Sequence, residues 1–520
     1  MPRVNGAELD DPACRNAALE LAREGIGGFI LFGGDIESTP RRLAELQTAA
    51  PVPLLISSDV ERGLGQQLAG GTRFPSQRAI ASAIDRRSKK DEALLLRMLD
   101  AVRIETRAAG IHAVFSPVMD VNNNPDNPII CTRAFGDEPE IVEWFGRRYI
   151  RRLQLPAKDG SLDLLACAKH YPGHGDTDQD SHSVLPVIRA DRARLNRVEL
   201  PPFREAVKAG VGMVMVAHLS VPALDPDKPV TFSKKTVTAL LREGMEFNGL
   251  IVSDALDMGA IANTSSPAEI AVGALHAGMD VLLHPRDARE TIDAVVRAVE
   301  EGRITRERIR ESVTRIMTAK TRLGLFATPL NPPLARGEGK GGAPRKIDYA
   351  KHRELARELG GKAVKVVSSG KKALPFDAAK GIAGFVLDDD SGKDIGAVFL
   401  TELMQRAASF SGATLTPASV FSPEHAKAAL DAAGAVAIAI FSKVSASKGS
   451  SGISPVLKAA ADELVRMARS GGKRSAVISF DSPYILDQFR DADVRIAGYD
   501  RMAEIQTAAA EMLMDARKGK

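Results

Sequence analysis

At 520 residues the chain is long enough for two domains with substantial cores. It is 44% hydrophobic, 26% charged and 5% aromatic, a globular make-up that excludes fibrous, disordered and membrane-embedded classes. The formal net charge of +4 is spread thinly, with no dense basic cluster and no interleaved aromatics, so nucleic acid is not the expected partner.

Short apolar runs alternate with longer amphipathic stretches as far as residue 327. The runs predict eight strands, near 2–4, 28–32, 54–57, 113–117, 165–168, 213–217, 250–253 and 281–283. Between them lie helical patterns such as 91–109, 138–153, 193–209 and 288–301. Eight strand-helix units imply a parallel sheet closed into a (β/α)8 TIM-type barrel. Polar residues stand just after the strands: Asp59, Asp120, Lys169 with His170, His218, Asp254 and His284. Each alone has a plainer reading as a helix cap. Six at equivalent places point to the C-terminal mouth of a barrel, where active sites are built.

Residues 331–344 are dense in Gly and Pro without apolar period and read as linker. Three parts are therefore expected: a catalytic barrel over 1–327, a linker over 328–348 and a smaller α/β sandwich domain over 349–520. In the last, helices are predicted over 351–363 and 455–468, and strands near 364–367, 384–387, 435–441, 475–479 and 494–497. Little convergent polar chemistry is expected there, and the Ser-, Lys- and Gly-rich stretch 442–454 reads as a mobile loop.

Three widely spaced cysteines, Cys14, Cys131 and Cys167, make neither a disulfide framework nor a zinc site, and suit a reducing compartment. No apolar run approaches the roughly 20 residues of a membrane span. The first ten residues hold no signal-peptide core. The expected location is cytoplasmic, with export admitted if the natural start lies upstream.

The densest polar segment is Lys169-His-Tyr-Pro-Gly-His-Gly-Asp-Thr-Asp-Gln-Asp-Ser-His182. Pro172, Gly173 and Gly175 make it a shaped loop rather than a helix. It takes three of the nine histidines, too many for a merely solvated loop. A metal site is the second reading, but the spacing fits no zinc motif, and the Gly and Glu of a calcium loop are missing. No metal or cofactor is expected. The third reading is catalytic: Asp180 orients His182 as a general acid/base, fixing its tautomer. In Gly249-Leu-Ile-Val-Ser-Asp-Ala-Leu-Asp-Met258 an apolar strand delivers Asp254 to the mouth, where a carboxylate can attack a sugar C1.

Segment 169–182 resembles the signature of glycoside hydrolase family 3, in its β-N-acetylglucosaminidase branch, with Tyr171 where Phe is usual. The Asp-Ser-His ending belongs to that branch; the β-glucosidase branch lacks it. Ser116-Pro-Val-Met-Asp-Val-Asn122, Asn127-Pro-Ile-Ile-Cys-Thr-Arg-Ala-Phe-Gly136, Ser58-Asp-Val-Glu-Arg-Gly-Leu-Gly-Gln66 and 252–258 resemble further family segments. The resemblance implies Asp254 as nucleophile, His182 as acid/base and Asp180 as its partner. It implies Asp59, Arg133, Lys169 and His170 as holders of sugar hydroxyls. Gln67 stands where many relatives carry a substrate-contacting Arg, so it keeps hydrogen bonding and loses the charge. The implied substrate is terminal β-linked N-acetylglucosamine, on peptidoglycan fragments. Two-domain relatives usually run on into a further strand, so the second domain is expected to lack one. The rivals are a family 3 β-glucosidase, an N-acetylglucosamine phosphorylase, and an inactive sugar-binding barrel, which would not need Asp254, Asp180 and His182 together.

Overall fold

In a computed structural model, seven parallel strands lie side by side in chain order. They are β1 (Arg3–Asn5), β2 (Gly28–Phe32), β3 (Leu55–Ser58), β4 (Ala113–Val114), β5 (Leu165–Tyr171), β6 (Met213–Val216) and β7 (Leu250–Ser253). The structure describes residues 1–157, 159–326, 347–370, 373–390, 394–419, 421–443 and 452–515. The linker expected over 328–348 falls outside them but for its last two residues, and so does most of 442–454.

The eighth position of the barrel is filled without a regular strand. Val281 bridges Val252, and the His284 N–H donates to the Met1 carbonyl at 2.8 Å, so the run 281–284 closes the ring between β7 and the start of the chain. The run fails as a strand for a local reason. The Leu283 N–H, which a ladder would give to a backbone carbonyl, goes to Ser253 Oγ at 2.9 Å. Successive side chains alternate between two buried faces, as parallel strands under helices require. Ile30, Leu55, Phe115, Met213, Val252 and Leu283 fill the interior. Val4, Phe29, Leu31 and Ile56 pack outward with Leu43 and Leu46 of the helix Thr39–Ala49.

The helix Pro139–Leu153 starts on a proline, whose missing N–H costs nothing at the first turn, and buries Val142, Phe145, Tyr149 and Leu153 at helical spacing. The single helix expected over 193–209 is two, Arg192–Arg197 and Pro201–Lys208. Pro201 and Pro202 offer no N–H to a continuing helix, so the chain restarts there.

The second compact unit is built on six strands: β8 (Lys365–Ser369), β9 (Ile382–Asp388), β10 (Phe410–Leu415), β11 (Ala435–Phe441), β12 (Arg474–Ser479) and β13 (Val494–Ala497). Their order is β10-β9-β11-β12-β13-β8, parallel throughout except that β8 runs antiparallel to β13. Two earlier segments, Pro75–Asp91 and Pro125–Thr132, belong to this unit with Leu355–Lys520. There the Ser76 N–H donates to Asp500 Oδ2 at 2.8 Å. Contrary to expectation, polar chemistry does converge in this unit: Arg501 reaches Asp390 at 2.7 Å and Asp481 at 3.1 Å, just past the ends of β9, β12 and β13. Among the described residues no helix is long and apolar enough to cross a membrane.

Candidate active site

At the mouth of the barrel the ends of β3 and β5 bring opposite charges together. Lys169 Nζ lies 2.7 Å from Asp59 Oδ1 and 2.7 Å from Glu61 Oε1. Arg133 grips Glu61 with two N–H donors, Nη2 at 2.7 Å and Nε at 3.1 Å, the bidentate geometry that makes such pairs strong. Lys169 and Glu61 are nearly inaccessible. Burial alone would push the Glu61 carboxyl up, but Arg133 and Lys169 outweigh it and hold it well below the usual carboxylate range. Burial likewise works against the Lys169 charge, and Asp59 and Glu61 reverse it, so Lys169 stays above the ordinary lysine value. The network is fixed by these contacts, with Asp59 its more accessible member.

His170 joins this network through Arg133 and is held on its other side by the buried Asp120. Its Nδ1 lies 2.7 Å from Asp120 Oδ2, while Asp120 Oδ1 accepts the backbone N–H groups of His170 at 3.1 Å and His174 at 2.7 Å. With Nδ1 donating to the carboxylate, Nε2 is the acceptor for Arg133 Nη2 at 3.3 Å. The loop then continues over two required glycines. Gly173 sits at φ +131°, and a Cβ on Gly175 would fall 1.7 Å from the Val121 carbonyl.

Further along the loop, Asp180 Oδ1 accepts both the His182 N–H at 2.9 Å and His182 Nδ1 at 2.8 Å. Asp180 is buried and His182 is exposed. Nδ1 is thus committed to Asp180, which leaves Nε2 as the ring nitrogen able to meet another partner. Asp254 stands one residue beyond β7, its N–H bonded to the Val216 carbonyl at 2.9 Å and its Oδ1 accepting from the Ala255 N–H at 2.9 Å. Burial raises its pKa, but His170, His218, the Ala255 N–H and Lys169 together prevail and keep it below the usual value. It is held as a carboxylate at the mouth of the barrel.

These features are those of a glycosidase mouth, and the family match agrees. Residues 3–319 match the family described as Glycosyl hydrolase family 3 N terminal domain. The chain belongs to glycosyl hydrolase family 3. It is similar to Beta-hexosaminidase A of Pseudoalteromonas piscicida, with 28% identity over 90% of this chain and 82% of that protein. It is 35% identical to a Beta-hexosaminidase of Chromobacterium violaceum over 53% of this chain and 75% of the relative. Among solved structures it is similar to a glycoside hydrolase family 3 beta-N-acetylglucosaminidase from Paenibacillus sp. str. FPU-7, at 29% identity and a TM-score of 0.79, covering 99% of this chain and 94% of that one. The chain is a glycoside hydrolase with the two-domain architecture of family 3.

Of the residues singled out from the sequence, this family 3 enzyme draws Asp59, Arg133, Lys169 and His170 into one network and sets Asp180 against His182. Asp254 meets them through its electrostatic field. Gln67 does not touch the charges: its Nε2 donates to the Asp59 carbonyl at 3.0 Å, and its Oε1 accepts from the Gly33 N–H at 3.4 Å. Glu61 and Asp120 are the members the sequence did not assign. Glu61 lies two residues after Asp59 in a motif already quoted, and Asp120 follows a strand like the others, so position alone marked both. His218 binds Thr231 Oγ1 at 2.7 Å and the Ala255 carbonyl at 2.9 Å, which steadies the turn after Asp254. Among the described residues no group of three or more His, Cys, Asp or Glu is placed to hold a metal ion.

Proposed function

We propose that the chain is a retaining exo-β-N-acetylglucosaminidase acting on terminal β-linked N-acetylglucosamine, with Asp254 as nucleophile and His182 as acid/base. The observation that carries the reading is the Asp180–His182 pair, an exposed imidazole held at Nδ1 by a buried carboxylate. In the first step an Asp254 oxygen bonds to C1 as the C1–O bond to the leaving group breaks, and His182 Nε2 gives its proton to the departing oxygen. In the second, His182 takes a proton from water, whose oxygen displaces Asp254 from C1. Asp59, Lys169, Arg133 and His170 hold the ring hydroxyls by charge-assisted hydrogen bonds.

The relatives named as hexosaminidases support N-acetylglucosamine over glucose. Peptidoglycan fragments are the proposed source, and cysteines as few and as widely spaced as Cys14, Cys131 and Cys167 fit a reducing compartment such as the cytoplasm. The test is turnover of nitrophenyl glycosides of glucose and N-acetylglucosamine, with and without phosphate, plus trapping by a slow fluorosugar. The expected result is preference for N-acetylglucosamine, no need of phosphate, and a label on Asp254. A label elsewhere, or turnover only with phosphate, overturns it.

A further inference from the structure

The loop that carries His182 and the turn that follows Asp254 are bonded to each other. Gly259 N–H donates to the His182 carbonyl at 3.1 Å, and Ala260 N–H to the Ser181 carbonyl at 3.2 Å. Asn263 Nδ2 donates to the Ser183 carbonyl at 3.3 Å. The acceptors are three consecutive carbonyls centred on His182. The donors lie in or just after the short helix Gly259–Ala262, which begins five residues after Asp254.

Gly259 is a glycine for the sake of this contact. Its φ lies outside the left-handed region, so its backbone would accept a side chain. A Cβ there would stand 2.6 Å from the His182 carbonyl oxygen and 3.0 Å from that of Ser183. Any side chain pushes directly on the backbone that holds the imidazole. The base of the contact is firm, because the same turn is tied to the barrel by Asp254 N–H to Val216 and Leu256 N–H to Leu283, both 2.9 Å. The first half of the loop has its own anchor in Asp120.

We propose that Gly259 and Asn263 are positioning residues: they latch the acid/base end of the loop to the nucleophile's own turn, so that the placement of His182 relative to Asp254 is set by residues 255–263. The proposal rests on His182 being the acid/base. Displacing a catalytic group by a fraction of an ångström slows only the step that uses it. Proton donation matters for poor leaving groups and hardly for good ones, so the latch has a signature that general loosening lacks.

The experiment compares kcat/KM for dinitrophenyl and alkyl β-N-acetylglucosaminides in the full chain, for Gly259→Ala, Asn263→Ala, His182→Ala and the Gly259→Ala/His182→Ala double variant, with thermal midpoints. Gly259→Ala should lose roughly 10–100-fold on the alkyl glycoside and little on the dinitrophenyl one. Asn263→Ala should lose less with the same selectivity, and carries the test if Gly259→Ala does not fold. On a His182→Ala background Gly259→Ala should add nothing. Equal losses on both glycosides, or a full additional loss in the double variant, overturn the latch. If His182→Ala itself is insensitive to the leaving group, the acid/base assignment fails instead, and the latch with it.

Discussion

The end of β5 and the loop that follows it carry two histidines whose pairs with a carboxylate are built alike and buried differently. His170 Nδ1 lies 2.7 Å from Asp120, and His182 Nδ1 lies 2.8 Å from Asp180. In each pair the carboxylate also accepts the backbone N–H of its own histidine. Side-chain exposure is 7% at His170 and 36% at His182. At His170, Nε2 faces the Arg133 guanidinium. A guanidinium never accepts a proton, so this pair can orient a sugar and cannot run acid/base chemistry with it. Pairing with a carboxylate fixes a tautomer; what the other nitrogen faces decides whether a proton moves.

The largest expected effect splits the two histidines. His182→Ala should lower kcat/KM for alkyl glycosides about 10²–10⁴-fold while sparing kcat/KM for nitrophenyl substrates, the usual size of a lost general acid. His170→Ala should raise KM and slow both substrates alike. Leaving-group dependence at His170 with none at His182 would invert the comparison.

The carboxylates should divide in the opposite sense. Asp120 is fully buried and accepts three hydrogen bonds, so Asp120→Asn should destabilise by about 3–5 kcal/mol in denaturant titrations. Asp180 is also buried but pairs with an exposed imidazole, so Asp180→Asn should cost less, about 1–2 kcal/mol, and slow alkyl glycosides roughly 10-fold through a less basic, less oriented His182. Equal stability losses in the two variants would mean that Asp180 serves the fold rather than the imidazole.

The same contrast explains what was legible in the sequence. β2, β7, β11 and β13 begin and end where their apolar runs do, because Gly, charged or turn residues bound them. β10 shows no such run: Phe-Ser-Gly-Ala-Thr-Leu sits at a sheet edge with Ser411, Gly412 and Thr414 exposed, and nothing in it demands burial. The eighth strand has the right run but loses a ladder bond to the Ser253 hydroxyl, which composition cannot reveal. In the site, Asp180 and His182 are two residues apart, and their pairing can be read from spacing. Glu61 becomes the partner of Arg133 only when a residue 72 positions away folds onto it.

A pH dependence probes the middle of the loop. Burial pulls His174 down to about 4, overriding the pull of Asp120 in the other direction. Between its ordinary value near 6.5 and about 4, the unfolded chain binds a proton that the folded chain refuses. Its contribution is intact above that window and falls as pH drops through it, by on the order of 3 kcal/mol in total. His174→Gln keeps a donor within reach of Ser181 and should flatten this part of a urea-midpoint profile. Identical slopes in wild type and variant would show that other groups carry the acid sensitivity.

The smallest effect is expected at Gln67, and it separates sugar contact from proton transfer most cleanly. Gln67 spans the Asp59 carbonyl and the Gly33 N–H, so it supports the backbone on which Asp59 stands without meeting any charge. Losing two such neutral bonds from a half-buried side chain costs about 0.5–1.5 kcal/mol each at most. Gln67→Ala should therefore raise KM within roughly tenfold and leave the alkyl-to-nitrophenyl ratio at its wild-type value. That invariance matters more than the size of the change. In the proposed mechanism Asp59 grips the ring in the ground state and the transition state alike, so a shift there alters binding uniformly. A Gln67→Ala variant whose kcat on alkyl glycosides falls while nitrophenyl turnover holds would place Gln67 on the His182 side of the divide, and the mouth would no longer separate into a half that grips and a half that moves protons.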